Sequence, residues 1–402
     1  MILNTLKTGL AILMLASFPN LSLHADATAD VWKQMYKEAA SDAQRRMVMI
    51  KIMELKSQEF GPLLQTALDD LYNRQIESGT TTERAAKIDL CRLLIRELGN
   101  LKAVEAAPRI YAIYNEINDP LLRYECAIAL GAMRANDFAF KMIRDLADLN
   151  LAPDQKNPRP KEIQAFGLVQ GLDTMHLPQA YEPLFLASAG WYSNTSRVKE
   201  IAKAALIKIA EDPSERLIAI IGFNDSVSIK YQALEAADNS KATADKKADV
   251  ARAALRTGLD FNTKTAEDGL VMVRLRKKAL SMLVSSQDHN PATIPLVAEI
   301  ISRDRNDNAS YDETLQSIAV TGSNASDAAA NLLNDRLEFY NERQRKEINT
   351  PRDKVFIREI IAAIKRAKNP LNKTVLFKTA NLEIHDAIIL REARDALATF
   401  GN

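Results

Sequence analysis

Asp119-Pro120-Leu121-Leu122-Arg123-Tyr124-Glu125-Cys126-Ala127-Ile128-Ala129-Leu130-Gly131-Ala132-Met133 is the stretch that decides the fold. Its apolar residues recur at the i, i+3, i+4, i+7 spacing of one helical face. Asp119 is a good N-cap, and Pro120 suits the first helical position, where a missing N–H costs no bond. Just upstream, after a short gap, Ala103–Asn115 repeats the same periodicity. Two amphipathic helices joined by a short turn predict an antiparallel pair.

The pair recurs along the chain. Candidate first helices open on a proline ahead of apolar residues: Gly61-Pro62-Leu63-Leu64, Ala107-Pro108-Arg109-Ile110, Glu182-Pro183-Leu184-Phe185 and Ile294-Pro295-Leu296-Val297. Candidate second helices carry a basic residue before small and apolar ones. Arg123, Lys199, Lys230, Arg276 and Arg391 hold that place. Pro108 to Pro183 and Arg123 to Lys199 are both near two steps of one repeat length. This pattern resembles the HEAT-repeat, armadillo-type family of helical arrays. The likeness covers most of residues 42–400, in about nine units. It is fullest at 101–133 and 177–210, whereas at 310–346 and 351–400 it rests on helical periodicity. The resemblance implies an all-α, right-handed α-solenoid of about nine antiparallel helix pairs, its second helices lining the concave side. Small residues at Ala127, Ala129, Ala202, Ala204 and Ala205 would let neighbouring helices approach closely, and they also suit helix propensity.

Composition agrees. Apolar residues make up 47% and net charge is +1, which excludes a disordered chain. Only 13 of 402 residues are Gly, too few for the turns of a β-rich fold. A single core stops growing near ~300 residues, but stacked pairs extend one core indefinitely. Three interruptions are expected: a loop at 151–160 with three prolines, a polar segment at 237–247 that could hinge two halves, and a turn at 303–312. A capping helix is expected at 28–40, and the helix ending at Phe400-Gly401 would cap the other end.

Residues 1–25 read as a secretory signal peptide: Lys7, an apolar run from Gly9 to Ala16, then Ala25-Asp26-Ala27, with cleavage after Ala25 or Ala27. Residues 26–402 would then form the array, exported to the periplasm with net charge zero. No Cys follows the run to accept a lipid.

Catalytic signatures are sparse. His24, His176, His289 and His385 show no H-x-x-x-H spacing, no G-x-S-x-G elbow occurs, and the chain lacks a Gly-rich phosphate loop. No catalytic residue, metal or cofactor is therefore expected. His176 and His289 suit surface turns. Cys91 and Cys126 lie about one repeat apart. A disulfide needs Cα atoms within about 7 Å, closer than helix axes normally allow, so two buried thiols are expected. The basic cluster Arg343, Arg345, Lys346, Arg352, Lys354 and Arg358, running on to Lys368, reads either as a docking patch or as a solvated face. Trp191 could be an exposed loop anchor or an inter-repeat packing group.

The expectation is a non-enzymatic protein–protein interaction scaffold, possibly a structural part of an envelope machine such as a secretion or flagellar motor assembly. Its partners would be exported or membrane-anchored proteins, without nucleic acid, and membrane contact would come only through those partners. The candidate binding residues are Arg123, Lys199, Lys230, Arg276, Trp191 and the 343–358 cluster. Alternatives are a HEAT-like lyase-type enzyme or capture of a ligand or glycan in the groove. HEAT-like metal-bearing hydroxylases use repeated His-Glu pairs, and no His-Glu dipeptide occurs here.

Overall fold

Asp119 caps its helix as its sequence predicts, its carboxylate accepting the Leu122 N–H at 2.7 Å. The computed structural model describes residues 25–154, 156–210, 212–304 and 311–401. Most of the signal-peptide segment, 1–24, and most of the 303–312 turn lie outside the described residues.

Two units divide between Ile209 and Ala210. The first holds α1 (Ala25–Glu38), α2 (Asp42–Leu55), α3 (Gly61–Asn73), α4 (Thr81–Asn100), α5 (Ala107–Glu116), α6 (Pro120–Ala132), α7 (Ala139–Leu151), α8 (Pro158–Met175), α9 (Tyr181–Ala189) and α10 (Val198–Ile209). The second holds α11 (Ser214–Phe223), α12 (Val227–Asp238), α13 (Ala244–Asp260), α14 (Ala266–Ser285), α15 (Ile294–Asp304), α16 (Tyr311–Ser323), α17 (Asp327–Arg345), α18 (Pro351–Ala367), α19 (Lys373–Ala380) and α20 (Ala387–Ala398). No strand occurs among the described residues.

Consecutive helices pair, from α1 with α2 to α19 with α20, giving five pairs in each unit among the described residues. The second helices also stack on one another. In the first unit α2, α4, α6, α8 and α10 form one layer, and in the second α12, α14, α16, α18 and α20 do so. Among the described residues this is an all-α stack of helix pairs within each unit.

Close approach in the first unit depends on glycine as well as alanine. A Cβ on Gly131 of α6 would stand 2.5 Å from the Gly171 backbone of α8, and one on Gly171 only 2.3 Å from the Ala127 carbonyl oxygen. A Cβ on Gly99 of α4 would meet Ala129 at 2.9 Å. Ala127, Ala129, Ala202 and Ala205 are buried, as close packing requires, whereas Ala204 faces solvent and serves helix propensity alone.

Five of the junctions between pairs follow one pattern. Lys56, Lys102, Arg134, His176 and Lys368 sit in the left-handed region with φ between 51° and 53°. Two residues later a single 3-10 turn begins, and it leads into the next first helix. Glycine normally takes such a position, because a side chain there costs roughly 1 kcal/mol.

The expected loop at 151–160 is shorter than its prolines suggest. Pro158 and Pro160 lie in the first turn of α8, where the N–H they lack has no helical partner in any case. The 237–247 segment joins α12 to α13 inside the second unit, with Lys247 Nζ donating to the Asp238 carbonyl at 2.7 Å. The N-terminal helix expected at 28–40 is α1.

Candidate functional site: the charged surface of the second helices

Several of the basic residues proposed for partner contact have a structural environment that the sequence order concealed. Arg123 is the fourth residue of α6 and half-buried. Its Nε donates to the Ile117 carbonyl at 3.0 Å, just past the end of α5, and its guanidinium lies 5.8 Å from the Tyr114 ring centre. Lys230 is the fourth residue of α12 and only 1% exposed. Its ammonium donates to the carbonyls of Ile221 and Gly222 at the end of α11 and lies 5.3 Å from the Phe261 ring centre. Burial lowers the Lys230 pKa.

The same device recurs at Lys161, fourth in α8, which donates to the Ala152 carbonyl at 2.6 Å, and at Lys247, fourth in α13. A helix end leaves its last carbonyls unpaired and carries partial negative charge. A cation one turn into the next helix satisfies both. Lys230 is therefore inaccessible to a partner, which corrects its assignment as a contact residue.

Arg276 of α14 is also internal. Its Nε reaches Glu313 Oε1 of α16 at 3.0 Å, and Nη1 donates to the Gly258 carbonyl of α13 at 3.0 Å. It belongs to a series of ion pairs between stacked helices. Lys278 joins Asp238, Lys277 joins Asp312 at 2.7 Å, and Arg358 grips Glu392 through Nη2 at 2.6 Å. In the first unit, Arg96 joins Glu125 and Lys208 joins Asp173 at 2.7 Å.

The 343–368 cluster is correspondingly less basic in space than along the chain. Arg343 pairs with Asp353 at 3.1 Å, Arg345 with Glu342 and Glu338, Lys354 with Asp386 at 2.9 Å and Arg366 with Glu359 at 3.0 Å. Glu338, Asp386 and Glu392 lie outside residues 343–368 in the chain and approach the cluster only in the fold. Arg352 stands 5.1 Å from the Phe356 ring centre and 5.5 Å from that of Tyr311. Lys346 and Arg391 are exposed, and Lys199 is half-buried as the second residue of α10. These three remain the better placed for contact with a partner.

Trp191 takes its packing role. Its indole N–H donates to the Leu149 carbonyl at 3.1 Å, and its ring lies 4.4 Å from that of Tyr192, whose hydroxyl donates to Asn150 at 2.8 Å. Cys91 and Cys126 are buried free thiols, with burial pushing both pKa values up. His176 and His289 are exposed. His385 is 5% exposed, its Nε2 2.9 Å from Asn341 Oδ1. Among the described residues no three His, Cys, Asp or Glu side chains are grouped to hold a metal ion. None of the helices among them is long and apolar enough to cross a membrane.

No family model matches the chain, and no curated protein does. Among solved structures it is similar to human deoxyhypusine hydroxylase in complex with glycerol, at 15% identity and TM-score 0.26, over 85% of this chain and 99% of that one. It is also similar to importin beta in an ammonium sulfate condition, at 10% identity and TM-score 0.31, over 92% of this chain and 57% of that one.

Proposed function

We propose that the protein is a non-enzymatic protein–protein interaction scaffold built on right-handed stacks of helix pairs. One observation carries this reading: ion pairs such as Arg276–Glu313 and Arg358–Glu392 tie neighbouring second helices together. They hold a broad side-chain surface in a fixed arrangement before any partner arrives, which reduces the ordering cost of binding. The partners proposed are exported or membrane-anchored proteins, and the compartment proposed is the periplasm. Both rest on the Lys7 to Ala27 sequence pattern. The structural part of an envelope machine is the narrower form of this reading.

The test is photo-crosslinking from positions 199, 346 and 391 of the full chain in native envelope, with mass spectrometry of the adducts. The scaffold reading expects the same few proteins from at least one position. Turnover of an envelope metabolite with no protein adduct would overturn it in favour of an enzyme.

A further inference from the structure

Tyr36, in the last turn of α1, is only 6% exposed, yet its hydroxyl makes no hydrogen bond among the described residues. A buried phenol normally finds a partner, because a donor taken out of water without replacement is costly. Tyr36 lines a cleft of about 560 Å³ inside the first unit, where the ends of α1 and α3 meet the start of α2. Leu63 and Ala67 of α3 give the cleft an apolar wall.

The charges around the phenol are arranged for an acceptor. Lys37, Arg45 and Arg74 line the cleft, with Asp70 as the carboxylate among the lining residues. Asp42 accepts from Arg45 Nη1 at 2.9 Å and from Arg74 Nη2 at 3.0 Å, so one carboxylate holds the two guanidiniums side by side. This leaves further N–H donors on each of them. Lys37 is exposed and enters no ion pair among the described residues. Three cations against Asp42 and Asp70 leave a single positive charge. Burial pushes the Tyr36 pKa up to about 12, so the phenol remains a donor at neutral pH. A monoanion balances this set, whereas a phosphate dianion exceeds it and an ammonium meets its excess.

We propose that the cleft binds a carboxylate carried on a short apolar body. Its oxygens would accept from the Tyr36 hydroxyl and from the remaining N–H groups of Arg45 and Arg74, and its body would lie on Leu63 and Ala67. Hydrogen bonds to an ionised acceptor are the strong ones. This site stands apart from the scaffold reading and does not rest on it.

The carboxylate belongs either to a free acid or to the C-terminus of a peptide, and calorimetric titration of the full chain separates the two. Hexanoate and hexanamide probe the free acid. Acetyl-Gly-Gly-Leu, with its C-terminus free or amidated, probes the peptide. At least one acid should bind about tenfold more tightly than its own amide, or better, and added salt should weaken it. The tighter acid names the source. Tyr36→Phe should lower that affinity about tenfold. Its thermal midpoint should stay unchanged or rise, since the lost hydroxyl bonds to nothing in the unliganded chain.

Equal binding of each acid and its amide, or binding of neither acid, overturns the proposal. So does unchanged affinity in Tyr36→Phe, or tighter binding of methyl phosphate than of both acids. A lowered midpoint in Tyr36→Phe would show that the hydroxyl already has a structural partner, and overturns it too.

Discussion

Arg276 and Glu313 form an ion pair across the α14–α16 interface, Nε to Oε1 at 3.0 Å, with side chains only 13% and 5% exposed. The same guanidinium holds the Gly258 carbonyl, so one side chain joins three helices. Removing one partner of a buried pair strands the other charge, at a cost of about 3–5 kcal/mol. Arg276→Ala should therefore lower the urea unfolding free energy by about 3 kcal/mol. The double change Arg276→Met with Glu313→Leu should recover most of that loss. A double variant as unstable as Arg276→Ala would show that the charges do more than fill space.

Gly131 and Gly171 set the spacing of α6 and α8. Either residue changed to Ala would drive a methyl into backbone at 2.5 Å or less, so each should destabilise by about 1–3 kcal/mol or more. Gly222 in α11 is the control, because an added Cβ there meets nothing within 4 Å. Gly222→Ala should be neutral or stabilise by up to about 1 kcal/mol. Thermal unfolding of the three variants under one condition checks the ranking.

Lys102 is exposed, with φ 52° at a junction between pairs. Lys102→Gly should stabilise by roughly 1 kcal/mol through relief of the left-handed backbone. Lys102→Val, with a β-branched side chain, should destabilise. The urea midpoints of the two variants should move in opposite directions.

His385 connects α17 to the last helix pair. Asn341 Oδ1 can only accept, so His385 Nε2 carries the hydrogen, and Asn341 Nδ2 donates in turn to Thr379 Oγ1 at 2.9 Å. Burial lowers the His385 pKa, Asp386 opposes this, and Arg345 adds to it. The folded value therefore lies below the unfolded one. The unfolded chain takes up the proton first, so the stabilisation is intact above about pH 6.5. It is lost as pH falls below that value toward the folded pKa. One proton limits the slope to about 1.4 kcal/mol per pH unit. His385→Asn should flatten the fall in urea midpoint between pH 7.5 and 5, and an unchanged slope would assign it to other groups.

Much of the local structure was legible from residue order. Asp119-Pro120 marks a helix start because capping and proline geometry act within one turn. The loop before α8 was harder, since Pro158 and Pro160 break structure in mid-helix but are tolerated in a first turn. The junctions carry no local signature, because Lys, Arg and His occupy the left-handed positions that glycine would mark.

Periodicity and capping act over a few residues, so residue order alone specifies helices arranged in pairs, with basic residues on the second helices. Whether those cations face solvent depends on carboxylates and carbonyls brought in from other helices. Arg358 meets Glu392, Lys354 meets Asp386, and Lys230 turns inward to the end of α11. Folding sets these contacts, because an ion pair forms by distance in space, and a charge count along the chain holds no such distance.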